Sequence, residues 1–169
     1  FALALGVPLG LLAAVRRGSI FDGTVRVFSA ITQSLPPFWT ALLLILVFST
    51  LLGLFPAAGR QSATLSQDFD LADRLRHLFL PALALALPAL AGFSRLMRTE
   101  TLEVLGSDYI RTAQAKGLRP DKVWFVHTLR NSLIPLMTVL GPAIVGVLGG
   151  AVITEVVFAW PGMGRLTVN

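Results

Sequence analysis

The places where charge disappears mark out the elements of this chain. Phe1–Val15 has no ionisable side chain and is followed by Arg16 and Arg17. Val27–Gly59 has none between Arg26 and Arg60, Leu78–Ser94 none between His77 and Arg95, and Asn131–Thr154 none between Arg130 and Glu155. A bilayer core about 30 Å thick takes roughly 20 apolar residues of helix at about 1.5 Å each. The second stretch is longer than one span needs, and Ser34-Leu35-Pro36-Pro37 divides it, because proline removes a backbone donor and restricts the residue before it. Val27–Gln33 therefore reads as an interfacial lead-in. The predicted spans are 1–15, 35–54, 78–97 and 132–153, in a single domain 1–169 with a loop at 98–130. Pro81 and Pro88 are expected to interrupt the third span, and Pro135 and Pro142 the fourth. Gly146 and Gly150 have the small-xxx-small spacing that lets another helix approach. Phe1–Val15 is short, and its positive charges follow the apolar run instead of preceding it as in a signal peptide. It reads as the tail of a span that starts earlier, and the chain as a fragment.

Composition agrees. Of the 169 residues 54% are hydrophobic and only 14% charged, against about 25% charged in a typical soluble domain. The absence of Cys excludes disulfides and thiolate chemistry. The net charge of +5 raises the question of nucleic acid, but its placement answers it. Arg16–Arg26 has three Arg and one Asp. In Gly59–His77, Asp68, Asp70 and Asp73 balance Arg60, Arg74 and Arg76. The 98–130 loop has Arg98, Arg111, Lys116, Arg119, Lys122 and Arg130 against four acids, with Arg95 at its edge. Basic residues in short loops mark the cytoplasmic side. The 98–130 loop is thus expected inside and Glu155–Asn169 outside, with Phe158 and Trp160 as aromatic anchors at the outer interface.

The 98–130 loop carries the most local information. Ser107-Asp108 suits a helix start, and Lys116-Gly117 suits a helix end. Asp108 and Lys116 both complement the helix dipole. Pro120 then fits the first turn of a second helix running to about Leu129. The first helix, of about nine residues, is too short to persist alone. It must dock, either on anionic lipid or in a groove of a cytoplasmic partner.

This loop resembles the cytoplasmic EAA loop of ABC-importer permeases, and more closely that of the dipeptide, oligopeptide and nickel permease family. The family pattern Ala-x-Ala-Lys-Gly-Leu, then His-x-x-x-Asn and Pro, falls on Ala113, Ala115, Lys116, Gly117, Leu118, His127, Asn131 and Pro135. The general acidic position of the loop falls on Arg111, a departure usual in the peptide-type branch. Ser34-Leu35-Pro36-Pro37-Phe38-Trp39 resembles the start of a family span. Gly149-Gly150-Ala151 through Glu155, Phe158, Trp160-Pro161-Gly162, Gly164, Arg165 and Leu166 resembles the segment before its final span.

The resemblance implies an all-α, polytopic transmembrane bundle of the MetI-like, type I ABC-importer kind. It implies a permease subunit in the inner or plasma membrane of a bacterium or archaeon, importing di- or oligopeptides or nickel. A second homologous permease, two ATP-binding cassette ATPases and an external solute-binding protein would be its partners, besides membrane lipid. ATP and Mg would be bound by the ATPases and no cofactor by this chain, which has no GxxxxGK[ST] motif. Tyr109–Leu118 would be the coupling element, with Gly117 making a sharp turn. Glu155, Phe158, Trp160, Pro161 and Gly162 would contribute to an outer gate, although Glu155 at an interface is also readable as a solvated carboxylate. His127 reads as a packing residue, Asn131 as bonding backbone at the start of the next span, and Trp124 and Phe125 as contacts with a partner or the bilayer.

Two other classes fare worse. An enzyme would need converging His and carboxylates, yet His77 and His127 fall on opposite sides of the membrane in this topology. An ion-coupled secondary transporter or channel would be expected to carry ionisable residues within its spans, and the four spans lack charge along their length except for Arg95 at the end of the third.

Overall fold

The computed structural model describes residues 1–60, 70–162 and 164, and the side chains of 147–151 are outside that description. Asp68, Arg165, Leu166 and the packing at Gly149, Gly150 and Ala151 therefore lie outside the described residues. The described residues are helical, with no strand among them. The order is α1 (Ala2–Val15), α2 (Ile20–Ser34), α3 (Pro37–Leu44, continuing as a π-helical Ile45–Leu51), α4 (Leu71–Leu105), α5 (Asp108–Ala115), α6 (Pro120–Lys122, continuing as a π-helical Val123–Thr128) and α7 (Leu129–Val157). Leu71–Leu105 and Pro120–Gly146 are long and apolar enough to cross a membrane.

Several boundaries differ from the sequence reading. The basic segment Arg16–Arg26 is mostly helix, because α2 begins at Ile20 and not after the last charge. The helical part of the second span is Pro37–Leu51, shorter at both ends than 35–54. Pro81 and Pro88 lie inside an unbroken α4, and Pro135 and Pro142 inside an unbroken α7. Each proline removes one donor, and packed neighbours can absorb that loss within a bundle. The second loop helix does not end near Leu129 but passes directly into α7. No helix-stop residue follows Leu129, so nothing local ends it.

The contacts divide into two units: Phe1–Gln33 with Ala89–Ala143, and Ser34–Pro88 with Ile144–Asn169. In the first unit α1 approaches the second half of α4 through glycines. A Cβ at Gly10 would meet the Ser94 carbonyl and lie 2.7 Å from the Met97 Cβ, while one at Gly6 would lie 3.1 Å from the Leu90 carbonyl oxygen. α2 is polar inside and apolar outside. It buries Asp22, Val25, Ser29 and Thr32 and exposes Ile20, Val27, Phe28 and Ile31. In water that arrangement forfeits the hydrophobic effect; in lipid it is favourable.

Asp22 ties α2 to α4. Its carboxylate accepts from Arg98 Nε at 2.6 Å and Nη2 at 2.9 Å, and from the Gly18 backbone N–H at 3.0 Å. The Arg98 hydrogen bonds lower its pKa from 3.8 to about 2 although burial pushes the other way, with Gly18 and Arg26 adding to the lowering. Arg98 is correspondingly raised by the same hydrogen bonds.

The second unit has a core of Ala41, Leu44, Leu80, Ala84 and Phe158. Phe55 stacks on Phe79 with centroids 4.4 Å apart. The Gly59 N–H donates to the Phe158 carbonyl at 2.9 Å. Phe158 is therefore a core residue, buried to 1%, and not the interfacial anchor expected from sequence. The chain reverses directly after it, at Ala159 with φ +48°.

Two stability measurements on the full-length protein in detergent follow. Gly10→Ala should lower stability by about 1–3 kcal/mol because the added methyl meets backbone. Gly23→Ala, where a Cβ meets nothing within 4 Å, should be neutral or gain up to about 1 kcal/mol from helix propensity. Asp22→Asn should cost about 2–3 kcal/mol at neutral pH. A depressed carboxylate pKa stabilises above the unfolded value and ceases to as pH falls through the folded one. The gap between wild type and Asp22→Asn should therefore close between about pH 4 and pH 2; a constant gap across that window would refute the assignment.

Candidate functional site

Local signals and a tertiary seat together define the segment around α5. Ser107 is the N-cap residue, but its hydroxyl donates back to the Val104 carbonyl at 2.5 Å and does not cap the helix. Asp108 pairs with Arg111 at 3.4 Å, with both side chains exposed. At the other end Lys116 is the C-cap and Gly117 has φ +75°. The Gly117 N–H donates to the Gln114 carbonyl at 2.9 Å, and the Leu118 N–H to the Ala113 carbonyl at 3.3 Å. This pairing is a Schellman motif, in which the left-handed residue follows the cap and the next residue folds back onto the helix.

That geometry gives physical content to Ala113-x-Ala115-Lys116-Gly117-Leu118. Ala113 is buried and Leu118 packs on the same cluster, formed by Ile110, Ala113 and Val123 with Val104, Leu105 and Trp124 around them. Trp124 thus packs within the chain, a correction to its reading as a partner or bilayer contact. Phe125, 55% exposed, remains on the surface. Ile110 is fully buried. Tyr109, Arg111, Ala115, Lys116 and Gly117 are exposed. An eight-residue helix is thereby seated on one face and presented on the other.

His127, Asn131 and Pro135 recur every fourth residue, so they stack along one face of the helix and are all half-buried. Asn131 Nδ2 donates to the His127 carbonyl at 2.7 Å.

The residues near the end of α7 also come together. The Trp160 N–H donates to the Glu155 carbonyl at 2.8 Å and the Ala159 N–H to the Val156 carbonyl at 3.2 Å, with Ala159 at φ +48°. A second Schellman turn therefore ends this helix, here with alanine in the left-handed position. It carries Pro161 and Gly162 back over the helix. A Cβ at Gly162 would collide with the Glu155 carboxylate, and one at Gly164 would lie 2.6 Å from the Val152 Cγ2. Glu155 is half-buried against this turn, so the glycines of the Trp160–Gly164 segment leave room for its side chain.

Sequence reasoning treated Asp22, Arg98, Ser29 and Ser94 only as charge or filler. The Asp22–Arg98 pair joins residues 76 apart, and no local pattern announces it. The available hint was an acid in an otherwise basic segment.

The description "Binding-protein-dependent transport system inner membrane component" matches residues 6–169. The chain is 44% identical over 168 residues to the oligopeptide transport system permease protein AppB of Bacillus subtilis (strain 168), covering 99% of this chain and 52% of that protein. It is 41% identical over 188 residues to the dipeptide transport system permease protein DppB of Escherichia coli (strain K12), covering 100% and 56%. With the di/tripeptide transport system permease protein DppB of Pseudomonas aeruginosa (strain UCBPP-PA14) the identity is 43% over 185 residues, covering 100% and 55%. The chain spans about half the length of these relatives. It belongs to the family of binding-protein-dependent transport system inner membrane components.

Because a Cβ at Gly117 meets nothing within 4 Å, substitution there is opposed by its φ alone. Gly117→Val should cost about 1–2 kcal/mol and Gly117→Asn, which tolerates the left-handed region, clearly less. Amide hydrogen exchange over 108–118 should be faster in the Val variant and near wild type in the Asn variant. Equal protection in both would contradict the turn assignment.

Proposed function

We propose that this chain is the translocation part of a permease subunit in an ATP-driven importer of di- and oligopeptides. It crosses the membrane through α1, α3 and the apolar parts of α4 and α7. The observation that carries the reading is α5. Its buried side, Ile110 and Ala113, is fastened to the chain's own cluster, while Tyr109, Arg111, Ala115 and Lys116 face outward. A helix of this length does not hold itself together in water. One that is pre-seated and closed at its C-terminal end by a Schellman turn can accept a load from a cytoplasmic partner without melting.

In this reading the partner is an ATP-binding cassette ATPase. Two of them, with a second permease and an external solute-binding protein, complete the importer. ATP and Mg are bound by the ATPases. Closure of the ATPase pair pushes α5, and the load passes through Val123 and Trp124 into α7. The turn around Glu155, Phe158, Trp160, Pro161 and Gly162 contributes to the outer gate. The peptide substrate class is supported by relatives named as oligopeptide, dipeptide and di/tripeptide permeases.

The test places Tyr109→Asp with Lys116→Glu on the exposed face of α5 in the full-length subunit. Membrane levels should match wild type, while ATPase recovered on affinity purification falls at least tenfold and peptide uptake is lost. Gly117→Val should retain insertion and separate ATP hydrolysis from uptake. Wild-type uptake in both variants, or uptake driven by an ion gradient without any ATPase, would overturn the proposal.

A further inference from the structure

Between α2 and the second half of α4 lies a cavity of about 260 Å³. We propose that it binds the phosphate-bearing headgroup of an anionic phospholipid. Arg26, Arg95 and Arg98 line it together with Ser29 and Ser94. Among the described residues, one carboxylate pairs with these arginines. Asp22 holds Arg98 with two hydrogen bonds and lies 3.9 Å from Arg26. Among the described residues, Arg95 has no ion-pair partner. The cavity therefore keeps an excess of positive charge carried by forked donors that match phosphate oxygens.

The two serines supply an independent observation. Ser29 is 2% exposed and Ser94 1%, and neither hydroxyl has a hydrogen-bond partner within the chain. A buried hydroxyl left unbonded is unfavourable, and both serines line the cavity, where an acceptor that reached them would relieve that cost. A phosphate ester is such an acceptor, rich in oxygens and complementary in charge.

The surroundings select a lipid over a free anion. Val25 and Ala30 also line the cavity. These residues form an apolar bed that inorganic phosphate does not use and acyl chains do. Arg95 directly follows the charge-free run Leu78–Ser94, and Arg26 directly precedes the run Val27–Gly59. The cationic groups thus stand where apolar sequence ends, at the depth of headgroups, and on the Arg-rich side that charge asymmetry assigns to the cytoplasm. That leaflet is the anionic one.

The experiment compares full-length wild type with Arg26→Gln/Arg95→Gln, leaving the Asp22–Arg98 pair intact, by native mass spectrometry with phosphatidylglycerol and with phosphatidylethanolamine. The wild type should retain phosphatidylglycerol in preference, and the double variant should lose roughly tenfold or more of that affinity with an unchanged melting temperature. Ser29→Ala/Ser94→Ala should weaken the same binding without changing the charge of the site. A photo-crosslinking residue at Ala30 should give a phospholipid adduct. Equal phosphatidylglycerol retention in wild type and arginine variant would overturn the proposal. So would displacement of the lipid by millimolar inorganic phosphate, or a crosslink to protein in place of lipid.

Discussion

The Asp22 carboxylate and the Arg98 guanidinium are the contact on which the first unit depends. Helices in lipid gain nothing from the hydrophobic effect when they associate, since lipid tails are as apolar as leucine. Something polar or close-packed must hold them. Here one carboxylate accepts two hydrogen bonds from a residue 76 positions away and a third from the turn that starts its own helix. The pair fixes the rotation of α2 about its axis. Once Asp22 faces α4, Val25, Ser29 and Thr32 face inward by helical spacing, and Ile20, Val27 and Ile31 must face outward. The inverted polarity of α2 is therefore a consequence of one ion pair.

Close approach supplies the second fastening. α1 carries no charge to pair, and it meets α4 where Gly6 and Gly10 leave room for the Leu90 and Ser94 carbonyls. A methyl-sized difference decides that contact, whereas the ion pair is decided by charge. Between them, α1 and α2 are held to the same half of α4 by two unrelated means. The cavity near Arg95 lies where α2 is joined to α4 by the ion pair, not where α1 is packed by glycine.

What could be read from sequence divides along the same line between local and distant causes. α5 was legible almost to the residue because its stop signal is local: Gly117 supplies the left-handed turn and Leu118 the return contact. Of the four apolar stretches, the third and fourth fall in helices long and apolar enough to cross a membrane, because lipid forbids charge along a span. Continuity was not legible. Prolines 81, 88, 135 and 142 read as interruptions, yet α4 and α7 run through them, since whether a lost donor breaks a helix depends on neighbours that the sequence does not place. Phe158 read as an interfacial ring and is core, because its partners Ala41, Leu44, Leu80 and Ala84 are distant in sequence and no local pattern announces them. The Asp22–Arg98 pair was invisible for the same reason of distance.

The continuity of α6 with α7 changes how the segment 98–130 has to be understood. Had a loop separated them, movement of α5 would be absorbed by its flexible backbone. Instead helical backbone runs from Pro120 to Val157, and Val123 and Trp124 at its start belong to the cluster that seats α5. The first part of this helix is π-helical, Val123–Thr128, a wider winding that interrupts the regular i→i−4 ladder and is met mostly at functional positions. This π-helical stretch lies beside the seat of α5, and the Asn131 side chain donates to the His127 carbonyl one turn back. Under the proposed function, the packing of Ile110 and Val123 beneath α5 is as much part of the coupling as any exposed residue of α5.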